Sequence, residues 1–227
     1  MKNTSFATSI LLFFLLSLSL FSDGNCAEPD NPATKLQIGD SFGGGIVVYI
    51  LSPGEAIQDI SDDGKSYTTI KYDPNVQHGL IASAKAFNDV WSNVEGKVSG
   101  TKQSFGSGAS NTVNIISQPG HENSAAYYCT EYENNSFSDW FLPSLDEMQI
   151  ALTILNNLGY VFESDFWTST EWPNEITTRD SGINESLAFF SALSGSVGIS
   201  KAITIGTAMN LSSKSSTSFS FMPVRTF

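Results

Sequence analysis

Residues 138–147 read SDWFLPSLDE and place Asp139, Asp146 and Glu147 beside Trp140 and Pro143. Three carboxylates this close could be an acid/base cluster, a metal site or a structural joint. Ser144 with Glu147 three positions on has the form of a capping box, in which each side chain satisfies the other's backbone N–H. Met148, Leu152 and Leu155 follow at helical spacing, flanked by Ala151 and Leu158, and Gly159 stands where a C-cap glycine belongs. Glu147 is therefore read as a cap partner, and Asp146 as a first-turn charge favoured by the helix dipole. Asp139 is read as an acceptor for turn N–H groups. Residues 138–147 read as a joint leading into the best-defined helix of the chain.

Outward from that helix the pattern changes. Gly43-Gly44-Gly45 precedes the β-prone run Ile46–Leu51, and the glycines read as a close backbone crossing. A turn-rich stretch follows, including Asp62-Asp63-Gly64. Tyr67–Tyr72 and Gly79–Ala82 read as strands. A helix is expected to begin within 84–91, a loop to fill 91–105, a short helix to start with Ser110 or Asn111 as its cap, and another to span 122–131. Phe166–Thr170, Ser186–Leu193, Val197–Ile205 and Phe219–Arg225 read as strands, with a polar loop at 212–218. Strands, then helices, then strands is an α+β order, with a single domain over 38–227.

The N-terminus reads as an export signal over 1–26, followed by a linker over 27–37. Lys2 precedes Ile10–Phe21, an apolar or hydroxyl run too short for the ~20 residues of a membrane span. The expected location is extracellular, cell-surface or periplasmic, with no transmembrane segment. Cys26 raises a lipid anchor, against which the lead-in Asp23-Gly24-Asn25 argues. A Cys26–Cys129 bridge is open in an oxidising compartment, but Cys129 reads better as a buried thiol. The formal net charge of −12 disfavours nucleic acid, sulfated polyanions and anionic lipid as partners.

Sites for chemistry are scarce in the sequence. His78, read as exposed, and His121 do not stand at zinc-ligand spacing with Cys129. Asp62-Asp63-Gly64 lacks the alternating acids of a calcium loop, so calcium has no motif behind it. The stretch Gly106–Asn111 begins like a dinucleotide loop but ends in Asn and follows no clear strand. Trp140, Phe166 and Trp167 read as core. Trp172, with Glu171, Asn174 and Glu175, reads as a polar loop whose tryptophan could stack on a sugar ring or fold back on the core. Arg225, a lone cation in an apolar strand, is expected to pair with Asp139 or Glu171.

Several of these elements, in order, resemble the C-terminal domain family of the Legionella collagen-like protein. The matching residues are Gly44–Val47 with Tyr49, Gly79–Ala82, Trp91, Asn111-Thr112, and Ala125-Ala126 with Cys129. Asp139-Trp140 with Leu142-Pro143-Ser144 and Glu147, Trp167–Glu171, and Pro223–Arg225 with Phe227 complete them. The resemblance implies a C-type-lectin-like α+β fold and a secreted or surface binding module, with carbohydrate as a ligand class. The chain lacks the E-P-N and Q-P-D triplets of calcium lectins, so calcium-dependent sugar binding is not implied. The function expected is an exported, non-catalytic module recognising glycans or surface proteins, with recognition in the loops around Trp172 and at 52–76. The alternatives are a structural subunit of a surface assembly, or an acid/base hydrolase using Asp139 or Glu171.

Overall fold

The computed structural model describes residues 35–162, 164–172, 187–191, 214, 215, 217 and 219–227. Six strands come first: β1 (Ser41–Phe42), β2 (Gly45–Ile50), β3 (Ala56–Ile60), β4 (Tyr67–Lys71), β5 (Gly79–Ala82) and β6 (Phe87–Asn88). Three helices follow, α1 (Gly108–Ile116), α2 (Ala125–Thr130) and α3 (Leu145–Asn157). Strands β7 (Asp165–Trp172), β8 (Leu187–Ser191), β9 (Ser220–Phe221) and β10 (Val224–Thr226) complete the order. The architecture is mixed α and β, with three small sheets, mostly antiparallel, ordered β1-β2-β5-β10, β3-β4 and β6-β9-β7-β8. The expected strand at 197–205 and the readings of 1–34 lie outside the described residues.

Helix α3 forms where its local signals place it. Ser144 accepts from the Glu147 N–H, and the Glu147 carboxylate accepts from the Ser144 N–H at 2.7 Å, closing the capping box. At the other end Gly159 has φ +91°, and Tyr160 N–H donates to Leu155 O while Gly159 N–H donates to Asn156 O. That pairing is a Schellman motif, which needs the left-handed backbone that glycine adopts without strain. The stripe Met148, Ala151, Leu152 and Leu155 packs on Ile46 and Val48 of β2 and Leu80 and Ala82 of β5. Leu158 lies past the last turn and is exposed.

The opposite face of β2 and β5 carries Val47 and Ile81, which close on Trp140. Strands buried on both faces read as continuous apolar runs, which is why residues 46–51 and 79–82 show no alternation. Trp91, Trp140, Phe166 and Trp167 are fully buried. Burying one indole removes 150–250 Å² from water, roughly 4–6 kcal/mol at ~25 cal/mol per Å² before entropy is counted. Each indole N–H finds a carbonyl: Trp91 to Thr168, Trp140 to Phe137 and Trp167 to Asp89. The glycine triplet is a close crossing, as expected. A Cβ on Gly45 would overlap the Ala82 carbonyl, and one on Gly44 would meet Asn134 O and the Trp140 ring.

Four expectations change. No helix starts at 84–91: Ala84 has φ +55°, and Phe87 pairs with Phe221 in a short ladder instead. Helix α1 starts earlier than Ser110, with Ser107 as its N-cap; the Ser107 hydroxyl donates to the Lys102 and Ser104 carbonyls rather than capping. The turn-rich stretch after 52 contains β3, which forms a hairpin with β4 over five residue pairs. The expected strand 219–225 divides into β9 and β10 in different sheets. Pro223 sits at the division, where its missing N–H costs no ladder bond and its carbonyl accepts from Ser83.

Candidate functional site

The acids of residues 138–147 are held in separate places. Glu147 is fully buried and accepts from Ser144 N–H and from Gly106 N–H at 3.0 Å. Burial pushes its carboxyl up to about 7, against hydrogen bonds from Ser144, Gly108 and Gly106 that pull it down. A Cβ on Gly108 would overlap the Glu147 Oε2. The glycine-rich stretch at 106–111 is thus filled by the protein's own carboxylate, not shaped as an empty phosphate cradle. Asp146 lies in the first turn of α3 and accepts from Gln103 Nε2 at 3.2 Å.

Asp139 departs from its turn reading. Its two oxygens take Arg225 Nε at 2.7 Å and Nη2 at 2.8 Å, a bidentate pair that matches the planar guanidinium fork. Arg225 also donates to Gly43 O, and its guanidinium carbon lies 4.0 Å from the centre of the Phe137 ring. Of the two partners expected for Arg225, the fold selects Asp139. The reason is register: Phe141 and Val224 exchange both backbone hydrogen bonds in an antiparallel bridge, which brings residue 139 within one position of the register of residue 225.

Glu171 does not stand in an exposed loop. Strand β7 runs on through Trp172, and Glu171 is buried against the loop at 96–101. Its Oε2 accepts from Val98 N–H at 2.5 Å, and its Oε1 lies 2.9 Å from Lys214 Nζ. Lys214 was hidden in a serine-rich stretch that reads as loop; its burial and its place over the Trp91 ring, 4.7 Å from the centroid, come only from tertiary packing. The backbone of Trp172 pairs with Leu187. Of the expected group Glu171, Trp172, Asn174 and Glu175, the last two lie outside the described residues.

Pro143 and Ser144 are buried, with Pro143 O accepting from Ser169 N–H at 2.8 Å. Cys129 is a free, fully buried thiol, and burial pushes it well above the ordinary thiol range. Among the described residues no group of three or more His, Cys, Asp or Glu could hold a metal, and no helix is long and apolar enough to cross a membrane.

A groove of about 430 Å³ opens where β2 ends and the chain returns from the β3–β4 hairpin. Pro53, Tyr72, Pro74 and Val76 give it apolar walls; Asp73, Asn75 and His78 supply polar groups. His78 is half-buried rather than exposed, and its Nδ1 lies 3.0 Å from the Phe227 main-chain oxygen. An oxygen of that kind only accepts, so Nδ1 is the donor and Nε2 is left facing away from this contact. Asp73 Oδ1 accepts from Asn75 N–H at 2.7 Å, which fixes the turn that carries both side chains. Most of these residues fall in the 52–76 stretch where recognition is expected, but no single one stands out in the sequence because nothing in 72–78 is a motif; alternation marks Tyr72 only as a strand end. No protein-family model and no curated protein matches the chain.

Proposed function

We propose that the chain is an exported, non-catalytic binding module of C-type-lectin-like fold, and that its ligand is a carbohydrate seated in the groove at Pro53, Tyr72–Val76 and His78. The observation that carries this reading is the groove's make-up: an aromatic ring and prolines beside a carboxylate, an amide and an imidazole. Sugar rings present apolar C–H faces and hydroxyl edges, and a site of ~300–1,000 Å³ that offers both apolar and polar groups suits such a ligand. The buried acids support binding over hydrolysis. Asp139 and Glu171 are each held against a cation, and Glu147 against backbone N–H groups. An acid/base role would have to break one of these arrangements.

A glycan array on the secreted protein, with and without calcium, is the direct test. Binding to a restricted set of glycans is expected, weakened at least about tenfold by Tyr72→Ala, the loss of ~1.4 kcal/mol or more that removing a stacking ring brings. Flat binding across the array, or full binding by the Tyr72→Ala protein, would sink the reading.

One observation favours the second reading, a subunit of a surface assembly. Ile38, Leu158, Tyr160 and Val161 are exposed, Val161 to 75%. The turn that carries Ile38 lies against Leu158, since a Cβ on Gly39 would lie 3.2 Å from Leu158 Cδ2. Clustered apolar surface of this kind suits self-association. Sedimentation that stays monomeric with rising concentration would remove it.

A further inference from the structure

The Lys214–Glu171 contact has a feature that an ordinary ion pair lacks. Both side chains are shut off from water, at 3% and 0% exposure. Glu171 Oε2 has its donor, the Val98 N–H, and Lys214 Nζ has an acceptor, Gly96 O at 2.6 Å. Yet Glu171 Oε1, 2.9 Å from Nζ, has no hydrogen bond of acceptable geometry among the described residues. A buried carboxylate oxygen without a hydrogen bond is costly. The arrangement suits a different chemical state, with one oxygen fewer.

We propose that Lys214 and Glu171 condense to an intrachain amide. The Nζ lone pair attacks the Glu171 carboxyl carbon and the C–N bond forms. The bond to Oε1 breaks, and Oε1 departs as water with two protons that began on Nζ. An ammonium and a carboxylate become a neutral amide and one water, so atoms and charge balance without oxidant or co-reactant. Oε2 becomes the amide oxygen and keeps the Val98 N–H; the amide N–H keeps Gly96 O. The product thus satisfies both of its polar groups with partners already in place, and the oxygen that leaves is the one without a hydrogen bond.

The physical conditions favour the step. Nζ lies 2.9 Å from Oε1, the oxygen bonded to the carbon it would attack, and holding reacting groups in contact can raise effective molarities to about 10⁵–10⁸ M. The reacting groups are fixed from both sides. Glu171 N–H donates to Thr101 Oγ1, and Lys214 O accepts from Trp91 and Ser92 N–H groups. The Val98 N–H is placed to stabilise negative charge as it develops on Oε2. Trp91 shields the amine, and burial lowers the Lys214 ammonium's affinity for its proton, although Glu171 and Glu95 raise it. Burial also removes the water that would reverse the reaction.

Mass spectrometry of the full chain after proteolysis tests this, with Lys214→Arg as the control that keeps the charge and removes the nucleophile. The expected result is a branched peptide joining residues 171 and 214, one water lighter than the sum of its parts. After boiling in detergent, the wild type should also run ahead of Lys214→Arg. Linear, full-mass peptides around both residues in the wild type would overturn the proposal and leave an ion pair only. A water loss that persists in Lys214→Arg, as from a succinimide at Asp63-Gly64, would overturn it equally. If Lys214→Arg does not fold, the branched peptide in the wild type decides by itself.

Discussion

Arg225→Met is expected to lower the unfolding free energy by about 3–5 kcal/mol, the usual effect of removing one partner from a buried ion pair. Asp139 would keep its carboxylate with no cation, at 17% side-chain exposure, and Gly43 O would lose a donor. The methylenes of Met still fill space beside Phe137, so little of the loss comes from an empty cavity. The double variant Arg225→Met/Asp139→Leu separates charge from packing. Apolar replacement of a whole buried pair is often close to neutral, so it should be clearly more stable than Arg225→Met alone. Equilibrium denaturation with urea measures all three proteins. Unchanged stability in Arg225→Met would show that the pair does not hold β10 against the rest of the sheet.

Glu147→Ala should be of comparable size, about 3–4 kcal/mol. It removes the N3 partner of the capping box, while Ser144 still caps α3, and leaves the N–H groups of Ser144 and Gly106 without their acceptor; each stranded buried donor costs ~1–3 kcal/mol. Glu147→Gln tests the charge instead of the shape. The folded protein holds the Glu147 proton up to about pH 7, while the unfolded chain releases it near the ordinary value of 4.5. Between those values the native state binds more protons, so wild-type stability falls as pH rises, by at most ~1.4 kcal/mol per pH unit. Glu147→Gln should lack this slope. Parallel pH profiles for the two proteins, followed by thermal unfolding from pH 4 to 8, would show that the carboxyl is ionised in the fold throughout.

Much of the chain is local in its logic and was legible for that reason. The capping box at Ser144 and Glu147, the Gly159 terminator, the Gly43–Gly45 crossing and the buried character of Trp140, Phe166 and Trp167 depend on residues a few positions apart or on unmistakable hydrophobicity. Errors fell where distant partners override local preference. Phe87 follows Phe221 into a strand, Ser107 spends its hydroxyl on the preceding loop, and Ala56–Ile60 becomes a strand because Tyr67–Lys71 lies beside it.

The site divides in the same way. The sequence alone determined that Arg225 needs an acid and that Ser144 and Glu147 together close a helix end, because an unpaired buried cation and an open helix end are both unfavourable wherever they occur. Only the tertiary structure decided that Asp139 takes Arg225, that Lys214 meets Glu171, and that Tyr72, Asp73 and His78 line one groove. Those choices rest on register across residues 86, 43 and 149 positions apart in the chain, for Arg225–Asp139, Lys214–Glu171 and His78–Phe227 respectively. No local preference encodes such a distance; the packing of α3 and Trp140 on opposite faces of β2 and β5 fixes it.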